Sequence, residues 1–276
     1  MAGPDNHGTE LETALAAARA AAEISRRYYQ ANFGANFGAN FEGNFEGNFE
    51  VRIKADQTPV TQADVECEQA IRRIILDRFP GHSFLGEETG RTGTASENLW
   101  LVDPIDGTKA FVRQYPFFST QIALMKEGRL VLGVSCGTMF DELAWAESGR
   151  GAWLNDARLS VSDVDDLARA ALSTGNLRSL AASPGWARFG NIVAAVNRIR
   201  GYGDFYHYHL LAAGKIDAVI ESDVGILDIA ALAVIVEEAG GVFTDLQGNP
   251  PGLETSSVLA ANPVLHQELL ERLRDR

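Results

Sequence analysis

Three separated segments carry acidic residues where chain geometry, rather than solubility, explains them: GEETG (86–90), DPIDGT (103–108) and GILDIAA (225–231). In residues 99–108, LWLVDPIDGT, an apolar strand ends at Asp103, Pro104 fixes the next φ, and Asp106-Gly107 turns the chain. Both carboxylates can then face one point, and the Ile105 carbonyl is available as a third hard oxygen, a set that suits Mg2+. A helix starting at Gly107 and Thr108 would aim its first N–H groups at an anion beside the metal, as helix N-termini do for phosphate. A structural Asx-turn needs one Asp, but neither the second Asp nor the Gly-Thr pair. Taken alone, the other segments have plainer readings. Asp228 reads as the N-cap of the apolar helix that follows it, Glu87-Glu88 as solvated charges in a polar turn, and Asp64 as an N-cap before Val65.

The elements around these carboxylates follow from periodicity. Residues 9–30 are rich in helix formers, with Leu11, Leu15, Ala18, Ala22 and Ile24 roughly on one face and Thr9 as the expected cap, Glu12 three residues on. Residues 65–79 repeat apolar side chains at helical spacing until Pro80-Gly81 stops them. Strands are expected at 98–102, 143–146, 171–174, 218–221 and 241–245, with 120–125 and 130–136 forming a hairpin around the turn KEGR. Helices are expected near 186–198, 205–213 and 229–239. No Pro/Ser-rich linker interrupts this mixture, so residues 9–276 read as one catalytic unit, with two sub-domains dividing near 150–170 as an option. Trp145 and Trp153 flank GRG in an expected hairpin, Phe117-Phe118 read as core, and His207 and His209 as packing or surface histidines, because residues two apart on a helix face different ways.

Residues 32–49 interrupt the pattern with a four-residue repeat that spaces Phe33, Phe37, Phe41, Phe45 and Phe49 evenly. One Gly per unit costs a helix about 1 kcal/mol each relative to Ala, so an irregular insertion tolerated in a surface loop is expected. Its place just before the loop TPVTQAD (58–64) suggests a flap beside the site.

The chain has 276 residues, with 24 Lys+Arg against 37 Asp+Glu and a formal charge of −13. Such a surface repels phosphate backbones and anionic lipid, so neither nucleic acid nor membrane is an expected partner. Two cysteines, Cys67 and Cys136, make no disulfide framework, and no CxxC pair offers a structural zinc site. With no signal-like N-terminus and no run of about 18 apolar residues, a cytoplasmic location is expected.

Together GEETG, WLVDPIDGTKAF (100–111) and GILDIAALAVIVEEAGG (225–241) resemble the inositol monophosphatase family of Mg2+-dependent, Li+-sensitive phosphomonoesterases. The resemblance runs from about Lys54 to the C-terminal helix. It implies an α+β fold, a layered αβαβα sandwich, a homodimer, and two or three Mg2+ per active site, with Mn2+ as a substitute. By the same resemblance Glu87, Asp103, the Ile105 carbonyl, Asp106 and Asp228 are metal ligands, with Asp103 bridging two ions. Thr108 and Glu87 position the attacking water, Thr61 and Asp64 stand behind it, and the backbone of Gly107 and Thr108 holds phosphate. Hydrolysis of a phosphate monoester depends mainly on positioning and charge neutralisation, which a two-metal site supplies.

The run GYGDFYHYHLLAAGKIDAVIESDVGILD looks most like the histidinol-phosphatase branch, with Asp204 and Glu221 as substrate contacts. Histidinol phosphate bears an ammonium that two carboxylates can pair with. The small phosphorylated metabolite expected as substrate is therefore L-histidinol phosphate, ahead of inositol-1-phosphate and of a 3',5'-bisphosphate nucleotide, for which Lys109 and Arg113 would be candidates. The family's usual Asn after DGTK is Ala110 here, and its Trp before the helix Asp is Leu227.

Overall fold

The computed structural model describes residues 8–31, 51–53, 59–93 and 96–274; the Phe repeat at 32–49 lies outside the described residues. Helix α1 (Thr9–Ala31) is followed by the ribbon β1 (Val51–Ile53) and β2 (Pro59–Thr61) and by helix α2 (Gln62–Arg78). Next come β3 (Ser83–Gly86), β4 (Gly90–Thr92), β5 (Asn98–Asp106), the short helix α3 (Thr108–Val112), β6 (Ser119–Lys126), β7 (Arg129–Gly137), β8 (Glu142–Glu147), β9 (Ala152–Leu154) and β10 (Ala157–Arg158). The remainder is β11 (Ala171–Thr174), α4 (Arg178–Ala181), α5 (Gly185–Ala195), β12 (Arg198–Arg200), α6 (Asp204–Ala212), β13 (Ala218–Ser222), α7 (Ile226–Glu238), β14 (Val242–Thr244), β15 (Ser257–Ala261) and α8 (Pro263–Leu273).

Among the described residues the strands form the β1-β2 ribbon, an eight-stranded sheet ordered β10-β9-β8-β7-β6-β5-β3-β4 and a five-stranded sheet ordered β12-β11-β13-β15-β14. Strand alternation sends neighbouring residues to opposite faces. Trp100, Val102, Ile122 and Leu124 pack with α1 and α2 on the outer face of the large sheet. Leu99, Leu101, Ala123 and Met125 face α6 and α7, which in turn meet Val219, Val258 and Ala260 of the second sheet. The far face of that sheet is covered by α5 and α8 through Phe189, Ile192, Leu265 and Leu269. The layers therefore run αβαβα, with α6 and α7 in the middle. From Ile229 to Val236 every residue of α7 is buried, as a helix between two sheets requires.

Several boundaries differ from the sequence expectation. The strand of the DPIDGT motif does not end at Asp103: β5 pairs with β6 through Asp106, with a register irregularity between the two aspartates. Thr9 is the first helical residue rather than the cap, and the Glu12 N–H bonds the Gly8 carbonyl. The helix at 186–198 stops at Ala195, because residues 198–200 pair in parallel with β11 as an edge strand. In the expected hairpin, Trp145 and Trp153 stand opposite each other on β8 and β9 with rings stacked 5.7 Å apart.

The middle layer is the structural keystone, so truncating Ile235, fully buried in α7, removes contacts to both neighbours. Ile235→Ala is expected to lower the unfolding free energy by about 2–5 kcal/mol in urea titration, with an unchanged m-value.

Candidate active site

The ends of β5, α3, α6, β13 and α7 converge on a cavity of about 530 Å³ between the two sheets. Asp103 and Asp106 enter it from β5 and Asp228 from α7, and each offers an oxygen within 4.8 Å of the others. The bulge in β5 makes this possible: without it, the odd spacing of 103 and 106 would send the two side chains to opposite faces. The Asp103 Oδ1 accepts the Ile105 N–H at 3.0 Å, and the Asp106 Oδ2 accepts the Ser119 hydroxyl at 3.1 Å. Asp228 is not the N-cap of α7. Gly225 is, and Asp228, three residues on, accepts the Gly225 N–H at 2.7 Å. Glu87 sits on the turn after β3, exposed, with its N–H bonded to the Val102 carbonyl at 3.1 Å and its carboxyl against that of Asp103.

This crowding raises the proton affinity of the cluster. Burial first, then Glu87, Asp106 and Asp228, pushes Asp103 well above the ordinary carboxylate range. Asp106 is raised by burial and by Asp204 and Asp228, against the Ser119 hydrogen bond. Asp228 is pushed up to about 6, mainly by burial. A set of hard oxygens with no sulfur or imidazole, mutually repelling, with Asp103 and Asp106 buried and Asp228 half-buried, fits a hard divalent cation such as Mg2+ or Mn2+ and is a poor match for Zn2+.

A second corner is built around α2. Thr61 is its N-cap, and Asp64 is the third helical residue rather than the cap expected of it alone. The Asp64 Oδ2 accepts both the Thr61 N–H at 2.8 Å and the Thr61 hydroxyl at 2.6 Å. Thr108, at the start of α3, directs its hydroxyl to the Asp64 Oδ1 at 3.2 Å and the Ile105 carbonyl at 3.0 Å. Burial pushes Asp64 up to about 6 against the Thr61 hydrogen bonds, with Glu87 adding to the rise. Gly107 adopts φ 85°, and a Cβ there would lie 2.5 Å from the Phe117 carbonyl, so the turn into α3 is glycine-specific.

The opposite wall carries Asp204 and Glu221. Asp204, the first residue of α6, has φ 45° and an exposed surface at the mouth. The protein packed around its carboxyl pushes it up to about 6, the nearby His207 ring opposing and Glu221 reinforcing the rise. Glu221 is buried on β13, where its Oε1 accepts the Tyr208 hydroxyl and lies 3.3 Å from the His207 Nε2. The two histidines do not form a metal pair: His209 turns the other way, to Glu142 at 2.8 Å and Ser135 at 2.9 Å. Of the two cations considered for a nucleotide, Lys109 lines the cavity and Arg113 is not among its lining residues. Ala110 is part of the wall, whereas Leu227 packs against the middle-layer core.

Sequence reasoning missed four contributors. Tyr208 holds Glu221. On β6, Ser119 supports Asp106, and the Gln121 amide donates to Ser119 at 2.7 Å and to Ser135 at 3.0 Å. Glu68 accepts N–H groups from the Glu87 turn. The available signals were polar side chains at 119 and 121 in an otherwise apolar strand, and a Glu four residues after Asp64 on the same helix face.

The match to the Inositol monophosphatase family model spans residues 8–276. The chain belongs to the inositol monophosphatase family. Among its relatives, the protein named histidinol-phosphatase of Mycobacterium tuberculosis is 41% identical over 225 residues, 80% of this chain and 86% of that protein. An inositol-1-monophosphatase of Caulobacter vibrioides is 36% identical over 224 residues, covering 78% and 87%. The solved structure of the extragenic suppressor protein suhB of Bartonella henselae superimposes with a TM-score of 0.84 at 30% identity, over 97% of this chain and 99% of that one. The inositol monophosphatase fold expected from the motifs is thus the fold observed, and the chain is a phosphatase of this family, a phosphoric monoester hydrolase.

The raised aspartates of this family member have a thermodynamic consequence. A carboxyl with a raised folded-state pKa contributes stability that is present below its ordinary value, 3.8, and lost as pH rises through about 6. The metal-free protein is therefore expected to melt at a higher temperature at pH about 5 than at pH about 7.5, and added Mg2+ is expected to raise Tm at the higher pH. A metal-free Tm that rises between those pH values would contradict the cluster's assigned electrostatics.

Proposed function

We propose that this phosphatase hydrolyses L-histidinol phosphate to L-histidinol and phosphate with Mg2+ as its metal. The observation that carries the substrate choice is the pair Asp204 and Glu221, two carboxylates in the same cavity as the metal-binding aspartates. A phosphate ester with an ammonium on its organic part answers both ends of such a site, whereas a neutral polyol offers Asp204 hydroxyl hydrogen bonds but no ion pair. Similarity to proteins named histidinol-phosphatase at 41% and 38% identity supports the reading.

In this proposal Glu87, Asp103, the Ile105 carbonyl, Asp106 and Asp228 hold the cations, and Gly107 and Thr108 present backbone N–H groups to the phosphate. Bound Mg2+ supplies charge neutralisation and an acidified water. The chain's own part is positional. Both Thr61 donors occupy one oxygen of Asp64, so its other oxygen is free to take the Thr108 hydroxyl proton. The Thr108 oxygen is left with its lone pairs toward the cavity, an acceptor that orients the attacking water together with Glu87. Glu221, fixed by Tyr208, is a preformed contact for the organic part of the substrate, while Asp204 stands at the mouth.

The proposal includes residues 9–276 acting as one catalytic unit, a cytoplasmic location and a homodimer. No helix among the described residues is long and apolar enough to cross a membrane. The half-buried rings of Phe117, Phe140, Tyr202 and Tyr206 form an aromatic surface patch suited to a second copy.

Phosphate release from L-histidinol phosphate, inositol-1-phosphate and 3',5'-bisphosphoadenosine, compared as kcat/KM with Mg2+, tests the substrate. A preference of about 100-fold for histidinol phosphate, lost in Asp204→Ala, is expected; preference for either rival overturns the reading of Asp204. Asp106→Asn is expected to cost at least about 100-fold in rate, and near-normal turnover would refute its place among the metal ligands.

A further inference from the structure

One turn of α2 beyond Asp64, on the same face, stands a second carboxylate. Glu68 is fully buried. Its Oε2 accepts the Glu88 N–H at 2.7 Å and its Oε1 the Thr89 N–H at 2.9 Å. Both donors belong to the tight turn between β3 and β4, immediately after Glu87. The space for the carboxylate is left by Gly86, where a Cβ would lie 2.5 Å from the Glu68 carboxyl group. From the other side the Glu87 N–H is tied to Val102 on β5 at 3.1 Å. The turn is therefore pinned between the central strand that carries Asp103 and the helix that carries Asp64.

A buried carboxylate is costly wherever it is not hydrogen-bonded, and here both oxygens are spent on the backbone of one turn. We propose that Glu68 is a positioning residue of the metal site. It fixes the backbone at 88 and 89 so that the Glu87 carboxyl is held against Asp103. With Asp64 four residues before it, Glu68 makes α2 a rigid template with two outputs: one carboxylate orients Thr61 and Thr108, the next orients the Glu87 turn. The inference rests on Glu87 being a metal ligand, as proposed above.

Glu68→Gln is nearly isosteric but replaces one acceptor by a donor, so one of the two backbone N–H groups meets an N–H instead of an oxygen. Gly86→Ala reaches the same end differently, because its methyl displaces the Glu68 carboxylate. Binding of Mn2+ to the metal-free full-length protein, followed by electron paramagnetic resonance, reads the site without turnover. Both variants are expected to bind Mn2+ at least about 10-fold more weakly than wild type, with faster amide exchange at Glu88 and Thr89 and with kcat on the preferred substrate falling more than KM changes. A merely structural Glu68 would lower Tm and leave Mn2+ affinity alone. Wild-type affinity in folded Glu68→Gln overturns the proposal; if that variant does not fold, wild-type affinity in Gly86→Ala overturns it equally. Failure of the wild-type protein itself to bind Mn2+ would instead defeat the metal reading of the whole cavity, and this inference with it.

Discussion

The mutual repulsion of buried carboxylates is the constraint around which this protein is organised. Asp103, Asp106 and Asp228 share a space less than 5 Å across, and unpaired negative charges at that separation in a poorly hydrated site repel by several kcal/mol. Only protons or cations relieve this, so the same crowding that raises the aspartates' proton affinity suits the cluster to a divalent cation. No isolated turn could hold such a set against its own repulsion. The frame that does so is the interlocked sandwich, in which β5 lies inside the large sheet and α7 is clamped between two sheets.

That frame also explains the division of labour around the cavity. The large sheet, α2 and α3 supply Asp103, Asp106 and the Thr61–Asp64–Thr108 corner, while α6 and β13 supply Asp204 and Glu221 on the opposite wall. Each side chain is held by a neighbour committed to it: Ser119 for Asp106, Thr61 for Asp64, Tyr208 for Glu221, and the backbone of Gly225 for Asp228. Small changes on the substrate side can alter selectivity without disturbing the metal side, which fits a family whose members carry different substrate names.

Legibility in the sequence followed the range over which each residue acts. DPIDGT could be read because Pro104 and Gly107 narrow the local geometry until two carboxylates and a turn have few arrangements left. The long apolar strands and α7 were equally legible from periodicity. Asp64 and Asp228 invited an N-cap reading because cap and third helical position differ by a single turn of backbone, which only the hydrogen bonds distinguish. The edge strand β12 was hidden because its conformation comes from pairing with β11 rather than from Arg-Ile-Arg itself. Tyr208 and Glu68 were out of reach for a similar reason: their partners lie 13 and 20 residues away, across contacts that no local pattern encodes.

The polar side chains buried beneath the cavity form a chain. Ser119 gives its proton to Asp106, and the Gln121 amide gives its two hydrogens to Ser119 and Ser135. The Glu142 carboxylate, which can only accept, faces Nδ1 of His209 and draws a ring hydrogen there, so in the neutral ring Nε2 accepts the Ser135 hydroxyl. A continuous run of polar contacts thus joins an aspartate on β5 to an imidazole on α6 across β6 and β7, with a carboxylate at each end. The amide nitrogen at 121 donates twice from one atom without bringing a charge into the buried layer, so this residue joins the two halves of the run.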